Sequence, residues 1–405
     1  MKLPDASWQD TAGMKRLLEA LDAAGGQTRF VGGCVRDTLL QLPVSDVDLA
    51  TRLQPHEVIE RLKRASIKPV PTGLAHGTVT AVLSEGPVEV TTLRRDVSTD
   101  GRRATVAFTG DWREDAARRD FTINALSADP QSRAIHDYFG GLDDLQAGRV
   151  RFIGDPLQRI AEDHLRILRF FRFHARFGRG DPDADALGAC VARANDLMAL
   201  SRERIADELL KLLALPDPAA TIRLMVERGI LKPVLPQIEA EGVERLEGLQ
   251  RREARLGIVP DPIRRLAALL PPDPEVATAT AAQLRLSNRD RKRLASAAER
   301  TGPDAGDARQ LAYRIGVEEA RDRLLIAGDE AELVHRIRSL DGWEKPRLPI
   351  SGGDLIAMGV PAGPLVASLL RRIEDAWANG GFAGDAGEVR RLAQAQVDQL
   401  LRDSQ

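Results

Sequence analysis

Two short runs near the N-terminus combine residue types that handle phosphate and metal. GGCVRD spans Gly32–Asp37, and DVDLAT spans Asp46–Thr51. In the first, Gly32 and Gly33 follow a β-rich run, so the chain can turn tightly and leave its backbone amides accessible. A helix that begins there directs its N–H groups outward, an anion site, and Arg36 adds a permanently charged planar partner for phosphate. In the second, Asp46 and Asp48 alternate with Val47, and the strand period of two puts both carboxylates on one face. So placed, they repel unless a cation lies between them. Hard oxygen ligands on one face suit Mg2+ bridging to substrate phosphates. A lone D-x-D is usually a surface turn or a cap; behind a glycine turn with an arginine, the metal reading takes precedence.

Three further segments extend this chemistry. Glu89, in VEVTTLR, has apolar and β-branched neighbours; it reads equally as a third carboxylate on an adjacent strand or as a strand residue facing water. In RRDFTINALSAD (Arg118–Asp129), Arg119, Asp120 and Asn124 are polar, while Phe121, Ile123 and Leu126 form an apolar stripe. The i, i+4 spacing of Asp120 and Asn124 would let one helical face present both. In EDHLRILRFFRFHARFG (Glu162–Gly178), Leu165, Ile167, Leu168 and Phe171 supply an apolar side, and Glu162, Arg166 and Arg169 share one helical stripe with Asp163 beside them. Arg172 and Arg176 continue the basic surface. From Arg149 to Arg179 there are eight arginines against three acids, Asp155, Glu162 and Asp163, which favours phosphate or base recognition over a merely wet face.

Asp163 and Arg166 together could choose a base. Cytosine and adenine each present an amino donor beside a ring-nitrogen acceptor; a carboxylate accepts from the first and a guanidinium donates to the second. Uracil and guanine present the opposite pattern and would leave these groups unpaired, at about 1–3 kcal/mol per group.

These residues must be positioned by two kinds of architecture. Before residue 150, short β-rich runs (Thr28–Val31, Asp46–Thr51, Thr78–Leu83, Val88–Leu93, Thr105–Phe108) alternate with helical patterns (Ala12–Ala24, Val35–Gln41, Pro55–Ala65), which indicates one sheet with helices on it, an α/β or α+β head. The segment Arg94–Thr105 is polar and arginine-rich. It reads as a solvated hairpin loop or as a mobile basic loop over a phosphate site. From about residue 155 the pattern is helical: Pro156–Arg176, Asp185–Met198, Arg202–Leu213, Ala219–Arg228, Val243–Leu256, Pro262–Leu270, Val276–Leu286 and Arg289–Thr301, with Gly- and Pro-rich breakers between.

Composition bounds the alternatives. A chain of 405 residues exceeds one compact core, and 43% hydrophobic with 29% charged residues is an ordinary soluble globular balance. The net charge of −2 counts mildly against a nucleic-acid binder, although a local basic surface suffices. The two cysteines, Cys34 and Cys190, can form neither a zinc site nor a disulfide framework and read as core residues. No signal peptide and no membrane-length apolar run is present, which makes the cytoplasm the default location. Nothing in the sequence specifies an oligomeric partner.

Taken together, GGCVRD, DVDLAT, VEVTTLR, RRDFTINAL, DYFGGLDDL (Asp137–Leu145), EDHLRILR and LSRERIADELLKLL (Leu200–Leu213) resemble the class II tRNA nucleotidyltransferase and bacterial poly(A) polymerase family of the polymerase-β superfamily. The resemblance covers roughly residues 28–213. It implies a catalytic head (1–150) with a five-stranded sheet, a helical neck with a base-recognition helix (151–215) and an all-α, RNA-binding body and tail (216–405). It further implies that Asp46 and Asp48 hold the metals, that Gly33 and Arg36 hold the triphosphate, and that Arg119 and Asp120 lie near sugar and phosphates. Asp163 and Arg166 would read the base, supported by Arg169 and Arg172, and the LSRERIADEL helix would brace them. The implied reaction adds C and A from CTP and ATP to the 3′ end of tRNA. A poly(A) polymerase, a partial CC- or A-adding enzyme and a catalytically silent RNA-binding protein are the alternatives. The family's polymerases more often carry Pro where this chain has His164 and tend to have a basic C-terminal extension, whereas this chain ends in mixed charge. An HD phosphohydrolase domain is excluded, because only His335 of the six histidines lies beyond residue 174.

Overall fold

The structure is a computed structural model. It describes residues 1–100, 103–300, 307–328 and 330–403, without the side chains of 96–100, 103–105, 330, 400, 401 and 403. The chain divides into two compact units, Met1–Pro236 and Gln237–Gln405.

The first unit contains nine strands: β1 (Thr28–Val31), β2 (Asp48–Thr51), β3 (Lys68–Gly73), β4 (Thr78–Leu83), β5 (Gly86–Thr92), β6 (Arg94–Asp100), β7 (Arg103–Phe108), β8 (Ser127–Ala128) and β9 (Ile135–His136). Its helices are α1 (Ala12–Ala20), α2 (Gly33–Leu39), α3 (Pro55–Arg64), α4 (Trp112–Ala117), α5 (Gly141–Ala147), α6 (Pro156–Glu162), α7 (Arg166–Phe177), α8 (Ala184–Ala192), α9 (Arg202–Leu213) and α10 (Ala219–Glu227). The second unit is helical: α11 (Ala240–Leu256), α12 (Pro262–Leu269), α13 (Pro274–Gln283), α14 (Asn288–Ala298), α15 (Ala308–Ile315), α16 (Val317–Ala327), α17 (Glu330–Arg338), α18 (Gly352–Ala357), α19 (Pro364–Asn379) and α20 (Ala386–Asp403). The expected mixed head followed by an all-α remainder is what the chain forms.

The main sheet has seven strands in the order β3-β4-β5-β2-β1-β8-β9, against the five the resemblance implied. Strands β8 and β9 are two residues each, too short to leave a periodic trace. Strand β3 carries Pro69 and Pro71 and survives because it lies on the sheet edge, where missing N–H groups do no harm. Register then sorts the two faces. Phe30 pairs with Leu49, Leu49 with Val90, and Val90 with Val79, giving an apolar face that is buried. One residue earlier, Asp48 pairs with Glu89 and Glu89 with Thr80, so the opposite face carries carboxylates and hydroxyls. A single-residue register slip would exchange core for chemistry.

Strands β6 and β7 form a separate two-stranded ribbon. The segment read as a loop from Arg94 is therefore strand up to Asp100, and both readings of its side chains over 96–105 fall outside the described residues. The expected single helix Pro156–Arg176 is also broken, into α6 and α7. Both cysteines are buried free thiols. Burial pushes the Cys34 thiol up to about 12, so both behave as core residues.

After α4 the motif residues 118–126 form no α-helix; a 3-10 turn over Thr122–Asn124 takes its place. Asp144 of α5 fixes this turn. It is 2% exposed, accepts from Thr122 Oγ1 at 2.6 Å and pairs with Arg151 at 2.9 Å. Gly141 lies so close that a Cβ would come within 2.3 Å of the Thr122 carbonyl oxygen. Removing the carboxylate leaves the buried Thr122 hydroxyl without this acceptor, while the half-exposed Arg151 keeps the Phe139 carbonyl. Asp144→Ala is expected to lower stability by about 1–3 kcal/mol, and urea unfolding of wild type and variant measures the difference.

Candidate active site

Gly32 adopts φ 71° and ψ −125° between β1 and α2, a conformation open to glycine and strained for other residues. A Cβ there would lie 2.9 Å from Arg119 Nη1, so a side chain would also displace that guanidinium. The turn opens onto a cavity of about 610 Å³, within the range that small-molecule sites occupy. Gly32, Gly33, Arg36, Asp46, Asp48, Arg119, Asp120, Asn124, Asp163, Arg166 and Arg169 all line it. Glu89 and Arg172, also singled out from the sequence, do not.

Asp46 is exposed and precedes β2, which begins at Asp48, so the pair is half on a strand and half on the approach to it. Burial raises the Asp48 pKa; Arg119 opposes this, while the charges of Glu89 and Asp46 push in the same direction. Asp48 thus feels two neighbouring carboxylates, although no three metal-ligating side chains among the described residues already gather around a common point. A pair of hard oxygen donors under mutual repulsion fits a divalent cation.

Behind the glycine turn, Arg36 is buried. Its Nε donates to Asp37 Oδ1 at 2.7 Å, its Nη1 donates to Asn124 Oδ1, and its guanidinium lies 4.2 Å from the Phe177 ring centre. Asn124 Nδ2 in turn donates to Asp120 Oδ1 at 2.9 Å. Asp120 and Asn124 are therefore brought together as the spacing suggested, but by the 3-10 turn rather than by a helical face. Asp120 Oδ2 accepts from Arg169 Nε of α7 at 2.8 Å. Burial pushes Asp120 up, but Arg169, Asn124 and the Phe121 N–H outweigh it and hold the carboxyl at about 2.

At Asp163 the backbone is extended, φ −154° and ψ 106°, which ends α6. Its Oδ1 accepts from the Leu165 N–H at 3.1 Å, at the start of α7. Aspartate competes with the helical backbone in this way, which explains the break and removes the single stripe expected for Glu162, Arg166 and Arg169. Asp163 Oδ2 accepts from Arg204 of α9 at 2.7 Å. Arg166 Nη1 donates to Glu162 Oε2 at 2.6 Å and to the Arg159 carbonyl at 2.8 Å, and its Nη2 donates to the Arg118 carbonyl at 3.2 Å. Asp163 and Arg166 thus have separate ion-pair partners. Arg172 donates to Glu208 of α9 at 2.6 Å and acts behind the wall. Sequence reasoning did not single out Arg204 or Asp37 as site residues; both line the cavity. The LSRERIADEL motif contained Arg204, whereas only the fold reveals its partner.

A glycine turn beside a carboxylate pair on a mixed sheet, facing a helical wall of arginines, defines a nucleotidyltransferase head. Residues 28–151 match the family described as "Poly A polymerase head domain", and residues 182–241 match "Probable RNA and SrmB- binding site of polymerase A". The chain is 34% identical to the mitochondrial CCA tRNA nucleotidyltransferase 1 of Mus musculus, over 96% of this chain and 92% of that protein. It is 34% identical to the CCA-adding enzyme of Streptococcus gordonii, over 91% and 93% respectively. Its fold is similar to the crystal structure of the Bacillus stearothermophilus CCA-adding enzyme in complex with CTP, with a TM-score of 0.77 and 26% identity, over 97% of this chain and 100% of that one. The chain belongs to the CCA-adding tRNA nucleotidyltransferase family. Enzymes of this family are typically metal-dependent. Among the described residues no helix is long and apolar enough to cross a membrane.

The Asp120–Arg169 contact has a pH signature. The folded carboxyl titrates at about 2 against an ordinary 3.8, so its contribution is fully present above pH 3.8 and is lost as pH falls through 2. At ~1.4 kcal/mol per pH unit this amounts to about 2 kcal/mol. The stability difference between wild type and Asp120→Asn should shrink between pH 4 and pH 2 and stay constant above pH 5, as urea titrations across that range would measure.

Proposed function

We propose that this chain adds C and A from CTP and ATP to the 3′ end of tRNA within the cavity described above. The observation that carries the reading is that one cavity holds both the Asp46–Asp48 pair and the Asp163–Arg166 pair. Metal chemistry and base selection thereby meet on one bound nucleotide. Catalysis is assigned to the head, residues 1–150, base selection to the neck, 151–215, and RNA contact to the body and tail, 216–405.

The reaction is attack of the RNA 3′-hydroxyl oxygen on the α-phosphorus of the nucleotide, with pyrophosphate leaving. Asp46 and Asp48 would hold Mg2+, with Glu89 the neighbouring carboxylate on the same sheet face; when bound, the ion supplies a lowered hydroxyl pKa and charge neutralisation on the phosphates. The Gly32–Gly33 backbone and Arg119 receive the triphosphate. Arg36 stiffens that turn from behind, through Asp37 and Asn124. Asp163 keeps lone pairs for an amino group after accepting from Leu165 N–H and Arg204, because a carboxylate offers about four acceptor sites. Three of the five Arg166 donors are bonded to protein among the described residues, which orients the guanidinium toward a ring nitrogen at low entropic cost. The two buried free thiols suit a reducing cytoplasm.

Single-nucleotide addition to tRNA with trimmed ends, using all four nucleotides, tests the assignment. Asp46→Ala or Asp48→Ala should abolish C and A addition with the fold retained. Asp163→Ala and Arg166→Ala should each lower use of CTP and ATP together and relax rejection of UTP and GTP, by about 1–3 kcal/mol or roughly ten- to hundredfold. Unchanged selectivity in both variants would remove the base-reading role.

A further inference from the structure

Asp115 of α4 belongs to none of the roles assigned above. It is 3% exposed, and its carboxylate is the meeting point of three groups. Oδ1 accepts from the backbone N–H of Arg94, the first residue of β6, at 3.2 Å and from Arg118 Nε at 2.9 Å. Oδ2 accepts from Arg119 Nη2 at 3.4 Å. Burial pushes the carboxyl up, but Arg118 and Arg119 outweigh it and hold it below its ordinary value.

Arg119 lies over Gly32, its Nη1 2.9 Å from where a Cβ would stand, and Nη1 also reaches the Asn124 carbonyl at 3.5 Å. Arg119 also lines the cavity that holds Asp46 and Asp48. One guanidinium is therefore bound to Asp115 and shares a cavity with a second set of carboxylates. A guanidinium and a divalent cation compete for the same carboxylate oxygens.

We propose that Asp115 is a positioning residue for nucleotidyl transfer: it anchors Arg119 against the Gly32 turn, where the triphosphate binds, and so keeps that guanidinium from closing onto Asp48 and displacing the divalent cation. The inference rests on the assignment of Asp46 and Asp48 as the metal pair. Arg118 contributes by engaging Oδ1, which leaves Oδ2 to Arg119. Without the Asp115 charge, the Asp46–Asp48 carboxylates lining the same cavity are free to draw Arg119.

The test is Mn2+ binding to the nucleotide-free protein, read by electron paramagnetic resonance, with thermal unfolding to confirm folding. Asp115→Asn should weaken Mn2+ binding roughly tenfold and raise KM for CTP and ATP together, whereas in an Arg119→Gln background the same change should move Mn2+ affinity less than about twofold. Arg119→Gln alone gives an independent reading if Asp115→Asn does not fold. It should leave Mn2+ affinity within about twofold of wild type while raising nucleotide KM. Equal loss from Asp115→Asn in both backgrounds, unchanged Mn2+ affinity in folded Asp115→Asn, or much tighter Mn2+ binding in Arg119→Gln overturns the proposal. Wild-type Mn2+ binding that survives Asp48→Ala overturns the metal assignment itself, a separate result.

Discussion

The buried contact between Asp120 and Arg169 ties the turn that follows the head's α4 to α7, the helix proposed to carry the base-reading Arg166. Asp120 holds Asn124, which holds Arg36, which holds Asp37, and Arg176 of α7 returns to Asp37 at 3.4 Å. The chain of charges closes a loop around the cavity. Each member is oriented by at least two partners, so the wall cannot shift without unpairing a buried ion, which costs several kcal/mol. A site that must place a 3′-hydroxyl, a phosphorus and a base edge together needs that rigidity.

The sheet supplies the other constraint. Its apolar face is fixed by Phe30, Leu49, Val79 and Val90, and alternation then dictates that Asp48 and Glu89 emerge on the opposite side. That much was legible from the strand period, as were the exact limits of β1, β4 and α9. The legible elements are those with strong local patterns. Illegible ones were set by tertiary context: β8 and β9 form by pairing with β1 and with each other, with the chain start Met1–Leu3 alongside, and β3 is a strand despite two prolines because it is an edge.

The helix break at Asp163 shows why the neck was only half readable. Residues 156–176 have helical periodicity throughout, and nothing in the spacing of Glu162, Arg166 and Arg169 marks a discontinuity. The break arises because the Asp163 carboxylate caps the start of α7 while Arg204, forty-one residues later, holds its second oxygen. The extended residue turns the carboxylate into the cavity instead of leaving it on a helix flank. A continuous helix would have kept Asp163 beside the Glu162–Arg166 stripe, away from the position from which it is proposed to read a base.

The arginine excess between Arg149 and Arg179 takes on a different meaning in the fold. Arg149 and Arg151 pair with Asp144, Arg159 and Arg166 with Glu162, Arg169 with Asp120, Arg172 with Glu208, and Arg176 with Asp37. Apart from Glu162, these acids come from outside that window, which is why a local charge count suggested an open basic surface. The pairing explains how so many arginines fit in a chain of net charge −2. Their guanidiniums are held in place by acids brought from elsewhere in the fold. Lysine could not replace them, because a compact ammonium cannot bridge two partners in a fixed fork. Under the proposed function, recognition by such paired arginines depends on geometry more than on net field, and geometry is what distinguishes a cytosine or adenine edge from a uracil or guanine edge of equal charge.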